Sequence, residues 1–322
     1  GAVAISIAGT AGKHGATFVA TSTSVTVFPR IFASGNMVLD NFSVREAVDD
    51  RTYNNEGLAI HGSITKTAVA TGAELVGYGP FSTSNRLRGT YHGTSAYPSI
   101  HHYETGDFHV MFWMNHDGTD AHQSLVGRDN REFAVDVLDN GSYNRRFRIY
   151  SFNSSNSLQT FDSNDDPFIL NTWTHVCVNY TNGNTASIYI NGELNKTGDL
   201  DYDIDDTTNG VNIGCRNTSG SYAHAATGTK LSLVRITGHA PTPEQIKKMY
   251  DDEKPLFAPN AKCTLYGSSD AVTAVAYDDS TDTVHVGTSS GRSDFVGLNR
   301  INNTTTAVTT AISASNGLIA EQ

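Results

Sequence analysis

Residues 173–192 read WTHVCVNYTNGNTASIYING. Apolar and polar positions alternate on both sides of Thr181-Asn182-Gly183-Asn184. Val176, Val178 and Tyr180 fall on one face, and Ile188 and Ile190 answer across the turn. A period of two marks strands, and Asn-Gly between two such runs predicts an antiparallel hairpin. Asn191-Gly192 predicts a second tight turn directly after it.

Upstream, HVMFWMNHDG over 109–118 sets Val110, Phe112 and Met114 against Met111 and Trp113. A strand apolar on both faces belongs in the middle of a layered structure. SLVGRDN, EFAVDVLDNGSY and RRFRIYSFN follow, the last two joined by Asp139-Asn140-Gly141, another hairpin signal. Downstream, GVNIGC and KLSLVRIT read as strands. One helix closes the series. Thr242-Pro243-Glu244-Gln245 is a capping box with proline in the first turn, Ile246, Met249 and Tyr250 form an apolar face, and Pro255 halts it.

The expected fold is all-β: a two-sheet antiparallel jelly-roll sandwich over 57–253 with one short C-terminal helix. Residues 1–48 read as further strands and 49–56, DDRTYNNE, as a polar linker. Residues 254–322 read as one alternating hairpin followed by a Thr-rich tail. The chain opens on Gly1 within a strand-like run, so a longer polypeptide is expected upstream.

Composition agrees with this class. Hydrophobic residues are 38% and charged residues 17% of 322, and the balance goes to the turn and strand formers Gly, Ser, Thr and Asn. The net charge of −11 argues against nucleic acid as a partner. No apolar run is long enough for a membrane-spanning helix. Cys177, Cys215 and Cys263 are too few and too scattered for a disulfide framework or a zinc site, so buried thiols are expected.

The order FWM, LVGRDN, WTHVCVNYTNGNTASIYING and LSLVRITGHAPTPEQIKKMY resembles the laminin-G-like, pentraxin-like branch of the concanavalin A-like proteins. The resemblance implies two curved antiparallel sheets and binding of glycans or proteins, often with calcium. MVLDNFSVREA, over 37–47, resembles the last strand of jelly-roll carbohydrate-binding modules. The mosaic as a whole resembles marine-phage virion proteins of the tail or fibre. It implies a virion location, assembly in the host cytoplasm, and a host cell-surface glycan or other virion proteins as partners. Incomplete β pieces at both ends predict a homo-oligomer, with a trimer favoured.

Some concanavalin A-like proteins are glycosidases, which need two carboxyl groups within one substrate's reach. The E-x-D-x-x-E string of the laminarinase type is absent. The nearest pair, Glu132 and Asp136, would stand ~13 Å apart along an extended strand. No catalytic residues are therefore assigned, and a glycoside hydrolase ranks below a binding module. A structural or decoration protein of the virion, with no soluble ligand, is the other alternative.

Glycan recognition needs aromatic and planar polar side chains at strand ends. Candidates are Tyr143, Asn144 and Arg145; Arg128, Asp129 and Asn130; and Arg216, Asn217, Tyr222 and His224. Trp113 and Trp173 sit beside apolar strand residues and are assigned to the core. Asp199, Asp201, Asp203, Asp205 and Asp206 form an acidic run that offers calcium several oxygens. Asp162, Asp165 and Asp166 are a lesser acidic candidate.

Overall fold

The structure is a computed structural model. It describes residues 58–89, 107–119, 122–129, 133–139, 145–152, 157–181, 184–201, 210–218, 220–269 and 271–309. All belong to the compact unit Leu58–Gln322. The segment expected to resemble a carbohydrate-binding jelly roll, 1–48, and the linker 49–56 lie outside the described residues.

The described residues hold twenty strands: β1 Leu58–His61, β2 Lys66–Ala68, β3 Val76–Tyr78, β4 Arg86–Gly89, β5 Phe108–His116, β6 His122–Arg128, β7 Phe133–Leu138, β8 Arg146–Phe152, β9 Leu158–Asp162, β10 Thr174–Thr181, β11 Thr185–Ile190, β12 Glu193–Asp199, β13 Val211–Ile213, β14 Arg216–Thr218, β15 Ser221–Ala223, β16 Thr229–Thr237, β17 Val272–Asp278, β18 Thr283–Thr288, β19 Gly291–Val296 and β20 Asn299–Asn303. One helix, α1, spans Pro243–Glu253. Two seven-stranded antiparallel sheets form a sandwich: β1-β4-β13-β6-β7-β8-β9 faces β12-β11-β10-β5-β16-β3-β2. The fold is the expected all-β jelly-roll sandwich.

The hairpin at 174–190 pairs Val176 with Ile190 and Val178 with Ile188, the register its alternation demands. β5 lies at the centre of the second sheet, between β10 and β16. Phe108, Val110, Phe112 and Met114 enter the core between the sheets, where Phe108 stacks on Tyr180 with ring centroids 4.1 Å apart. Phe133, Val135 and Val137 of β7 and Phe147 and Ile149 of β8 meet them from the first sheet. At one margin the Phe161 ring of β9 lies against Gly198 of β12. A Cβ at residue 198 would come within 2.8 Å of that ring, so the two edge strands close together only because the position is bare.

Met111 and Cys177 point the other way and pack under Ile246 and Met249 of α1. The capping box forms: Gln245 N donates to Thr242 Oγ1 at 3.3 Å, and Thr242 N donates to Gln245 Oε1 at 2.9 Å. Pro255 does not simply end the chain's helical run. It opens a 3-10 turn over Lys254–Phe257, which delivers Phe257 to the face of Trp113 at 4.1 Å. Trp113 Nε1 donates to Glu253 at 2.7 Å, and Arg235 closes the triad through a short contact with the same carboxylate. Cys177 and Cys215 are buried free thiols, and burial pushes both thiols up, that of Cys215 to about 11.

Residues 272–303 form a four-stranded meander, β17-β18-β19-β20, so the segment holds two strands beyond the hairpin that alternation picked out. Glu74 fastens it to the sandwich. Its carboxylate pairs with Arg300 at 2.8 Å and accepts from the backbone of Cys263 and Thr264 at 2.9 and 3.0 Å.

Candidate binding face on the first sheet

The outward face of the first sheet is built by strand register. Cross-strand partners share a face, so Ser124, Asp136, Arg148 and Asp162 form one row across β6, β7, β8 and β9. A second row brings Arg88, Asn212, Gly127, Ala134, Tyr150 and Thr160 into line. These rows point away from the core because Leu125, Val135, Ile149 and Ile213 point into it.

Asp136 is the centre. It is fully buried, and its Oδ2 meets His122 Nε2 at 2.6 Å and Arg216 Nη1 at 3.4 Å. Arg216 arrives from above, on the small hairpin β14–β15. The guanidinium of Arg216 lies 5.5 Å from the Tyr150 ring, with Arg148 at 5.9 Å from the same ring. The His122 ring stacks on Tyr150, at 6.0 Å, and lies tilted against His224, at 4.0 Å. His224 is held at φ +50°, a strained value for a residue with a Cβ, and its carbonyl accepts from Ser124 N at 2.7 Å. Burial lowers the His224 pKa, and the neighbouring His122 and Arg216 lower it further.

On one flank, Asp129 accepts from Arg88 at 2.6 Å and from Asn212 at 2.5 Å. Tyr222 lies under the Arg86 guanidinium at 3.5 Å, and its hydroxyl accepts from Arg88 at 3.3 Å. On the other flank, Arg148 grips Asp162 through two bonds of 2.6 and 2.7 Å, and Arg146 reaches the same carboxylate at 3.3 Å. The fork of contacts to Asp162 holds the Arg148 pKa above its ordinary value. Several atoms of this network are buried without a hydrogen-bond partner: Ser124 Oγ, Asp136 Oδ1, Asn212 Oδ1 and the Nε of Arg86, Arg146 and Arg216.

Of the residues named from sequence, Asp129, Arg216, Tyr222 and His224 converge on this face. Asn217 sits on β14 but is buried, and its side chain accepts from Gly220 N at 2.9 Å, which shapes the hairpin turn. Arg145 lies before β8 and meets Asp166 at 3.2 Å. Arg128 faces inward. A bulge between Ser124 and Val126 shifts the alternation by one residue, so Arg128 pairs with the core residue Val211 and is 1% exposed. Tyr143, Asn144 and Asn130 lie outside the described residues. Arg86, Arg88, His122, Arg146, Arg148 and Tyr150 join the face without having been named; the outward parity of β4 and β8 carried the signal.

Glu132, of the carboxylate pair that strand spacing sets too far apart for hydrolysis, lies outside the described residues. Asp162 and Asp166 each turn to arginines. Asp199 and Asp201 are exposed at the end of β12, and Asp203, Asp205 and Asp206 lie outside the described residues. Among the described residues, no group of three His, Cys, Asp or Glu side chains is placed to hold a metal. Among them too, no helix is long and apolar enough to cross a membrane.

Comparison with curated protein sequences finds no match. Among solved structures, the binding domain of botulinum neurotoxin serotype G is similar at 11% identity and a TM-score of 0.49, over 78% of this chain and 61% of that one. The receptor-binding domain of a botulinum neurotoxin C/D mosaic serotype is similar at 11% identity and 0.49, over 77% and 59%. This chain thus spans about three fifths of the length of these structures. At these scores neither likeness bears on what the chain binds. A family model, by contrast, aligns from β4 to α1. Over residues 88–247 the chain is similar to the family described as the concanavalin A-like lectin/glucanases superfamily.

Proposed function

We propose that this chain is a non-catalytic adhesion module that binds a host cell-surface glycan on the outward face of its first sheet, as part of a virion tail or fibre protein. One observation carries the reading: a polar and aromatic network fills that face, with Arg88, Arg146, Arg148 and His122 partly open to solvent. Its solvent-open groups include donors, on Arg88, Arg146 and Arg148, and acceptors, on Asp162. Sugar hydroxyls serve both kinds. The described carboxylates of the face, Asp129, Asp136 and Asp162, are each engaged by arginine, which leaves no free pair for glycoside hydrolysis. The virion setting rests on the resemblance of the three pieces together to marine-phage virion proteins.

A glycan array, run with calcium and with chelator, tests the reading. Binding to at least one glycan is expected, and silence in both conditions rejects it. Binding lost only in chelator would bring the acidic run from Asp199 to Asp206 into the site.

A second reading, a structural protein assembling through its edges, has its own observation. The meander exposes Val272, Val275 and Tyr277 on β17 and Ile301 on β20, both of them open edges. A strict monomer by light scattering would remove it, and the expected trimer with it.

A further inference from the structure

The outward face has a charge of its own. Among its described residues are five arginines, Arg86, Arg88, Arg146, Arg148 and Arg216, against three aspartates, Asp129, Asp136 and Asp162. The whole chain carries −11, so this is a positive island on an acidic protein. The excess is not spread evenly. In the centre, Arg216 is matched by Asp136. On one flank, Arg146 and Arg148 share the single carboxylate of Asp162. On the other, Arg88 takes Asp129, while Arg86 lies on Tyr222 and donates to the Thr83 carbonyl at 2.7 Å. Each flank thus holds one guanidinium more than its carboxylates neutralise.

We infer, building on the glycan reading above, that the ligand is an acidic oligosaccharide whose carboxylate or sulfate groups engage the two arginine-rich flanks while its hydroxyls lie over the His122–Tyr150 centre. Two features set the class. Guanidinium recognises carboxylate and sulfate through paired, planar hydrogen bonds, and each is stronger than a bond to a neutral hydroxyl. The flanks also stand on β4 and β8, four strand spacings apart, roughly 19 Å along the sheet. That span exceeds one sugar ring, so the site reads several units together. Casual adsorption of a polyanion is opposed by the protein's own net charge, so attraction must come from this face.

Affinity electrophoresis of the full chain tests the inference, with gels containing polygalacturonate, dextran sulfate or neutral dextran, alongside the array of neutral glycans. Retardation by polygalacturonate or dextran sulfate, weakening as salt rises, is expected, and the two gels separate carboxylate from sulfate. Arg146→Gln should weaken that binding about tenfold, and Arg146→Lys should restore most of it, since the charge returns without the fork. Lys248→Gln on α1 serves as the control and should change nothing. Thermal melts confirm that each variant is folded. Arg88→Gln, on the far flank, gives a second reading if Arg146 variants fail to fold. Binding to neutral glycans alone overturns the acidic ligand and leaves the glycan reading standing. Retardation untouched by both Arg146→Gln and Arg88→Gln also overturns it. No binding to any glycan overturns both.

Discussion

The two sheets of the sandwich share one core and treat their outer faces in opposite ways. The second sheet hides its outer face under α1 and the 3-10 turn, with Trp113, His175 and Cys177 sealed beneath. The first sheet turns outward a network of arginine, aspartate, histidine and tyrosine, partly open to solvent. An apolar face must be covered, whereas a polar one remains soluble while exposed. The contrast teaches that the covered face serves stability and the open face is free for recognition. Substitutions should therefore separate cleanly: loss of stability from one side, loss of ligand from the other.

The largest effect is expected at Trp113. It is 2% exposed, stacked on Phe257 and bonded to Glu253. Trp113→Ala should cost about 3–5 kcal/mol in urea unfolding and leave ligand affinity in the surviving folded fraction unchanged. A loss below about 1 kcal/mol would mean that α1 is not a structural cover.

The next effect is in pH. Burial, reinforced by the charge of Arg235, pushes the His175 imidazole down to about 4 from the ordinary 6.5. Its neighbours are Trp113 and Tyr250, and neither ring nitrogen has a hydrogen-bond partner. The folded protein keeps this imidazole neutral while the unfolded chain takes up a proton. Its contribution is therefore complete above about pH 6.5 and is lost as pH falls toward about 4, a total of roughly 3 kcal/mol. His109 and His116, also lowered chiefly by burial, steepen the same acid limb. Unfolding free energies measured from pH 7 to 4 should show that His175→Leu flattens the limb by about one proton. An unchanged slope would assign the acid sensitivity elsewhere.

Asp136 is where the contrast is most easily broken, because it is a buried residue on the open face. Asp136→Asn removes the acceptor charge shared by His122 and Arg216 and should cost about 1–3 kcal/mol. It should also weaken glycan binding, because the central rings lose their anchor. A stability loss with full binding would show that the centre is merely structural. The smallest stability effects belong to two positions with access to solvent. Thr242→Ala unmakes the capping box for about 1 kcal/mol. Arg146→Gln should shift stability by less than about 0.5 kcal/mol in the same melts, since its ion pair is long and partly solvated.

The sandwich was legible because its strands keep a strict period of two over long runs, as in Val176, Val178 and Tyr180. The helix was legible because a capping box is a local device. The open face was harder. Asp129, Arg216, Tyr222 and His224 were found through their chemistry, but nothing local says that β14–β15 folds back to lay Arg216 on Asp136. Arg128 shows the limit most sharply. Simple alternation places it with the outward residues, and one bulge sends it inward. The Arg148–Asp162 pair is set by the β8–β9 register, a non-local fact with no local motif.

The chain's two tryptophans both stand on the covered side: Trp113 under α1, and Trp173 beside Phe257 with its Nε1 donating to Val69 at 2.8 Å. Intrinsic fluorescence is therefore a private signal of that side. It will report undocking of the helix faithfully and stay dark to an occupant of the first sheet, where the aromatic rings are tyrosines. A titration followed by tryptophan emission would record nothing even at saturation. The ligand must be sought with its own label or through Tyr150 and Tyr222.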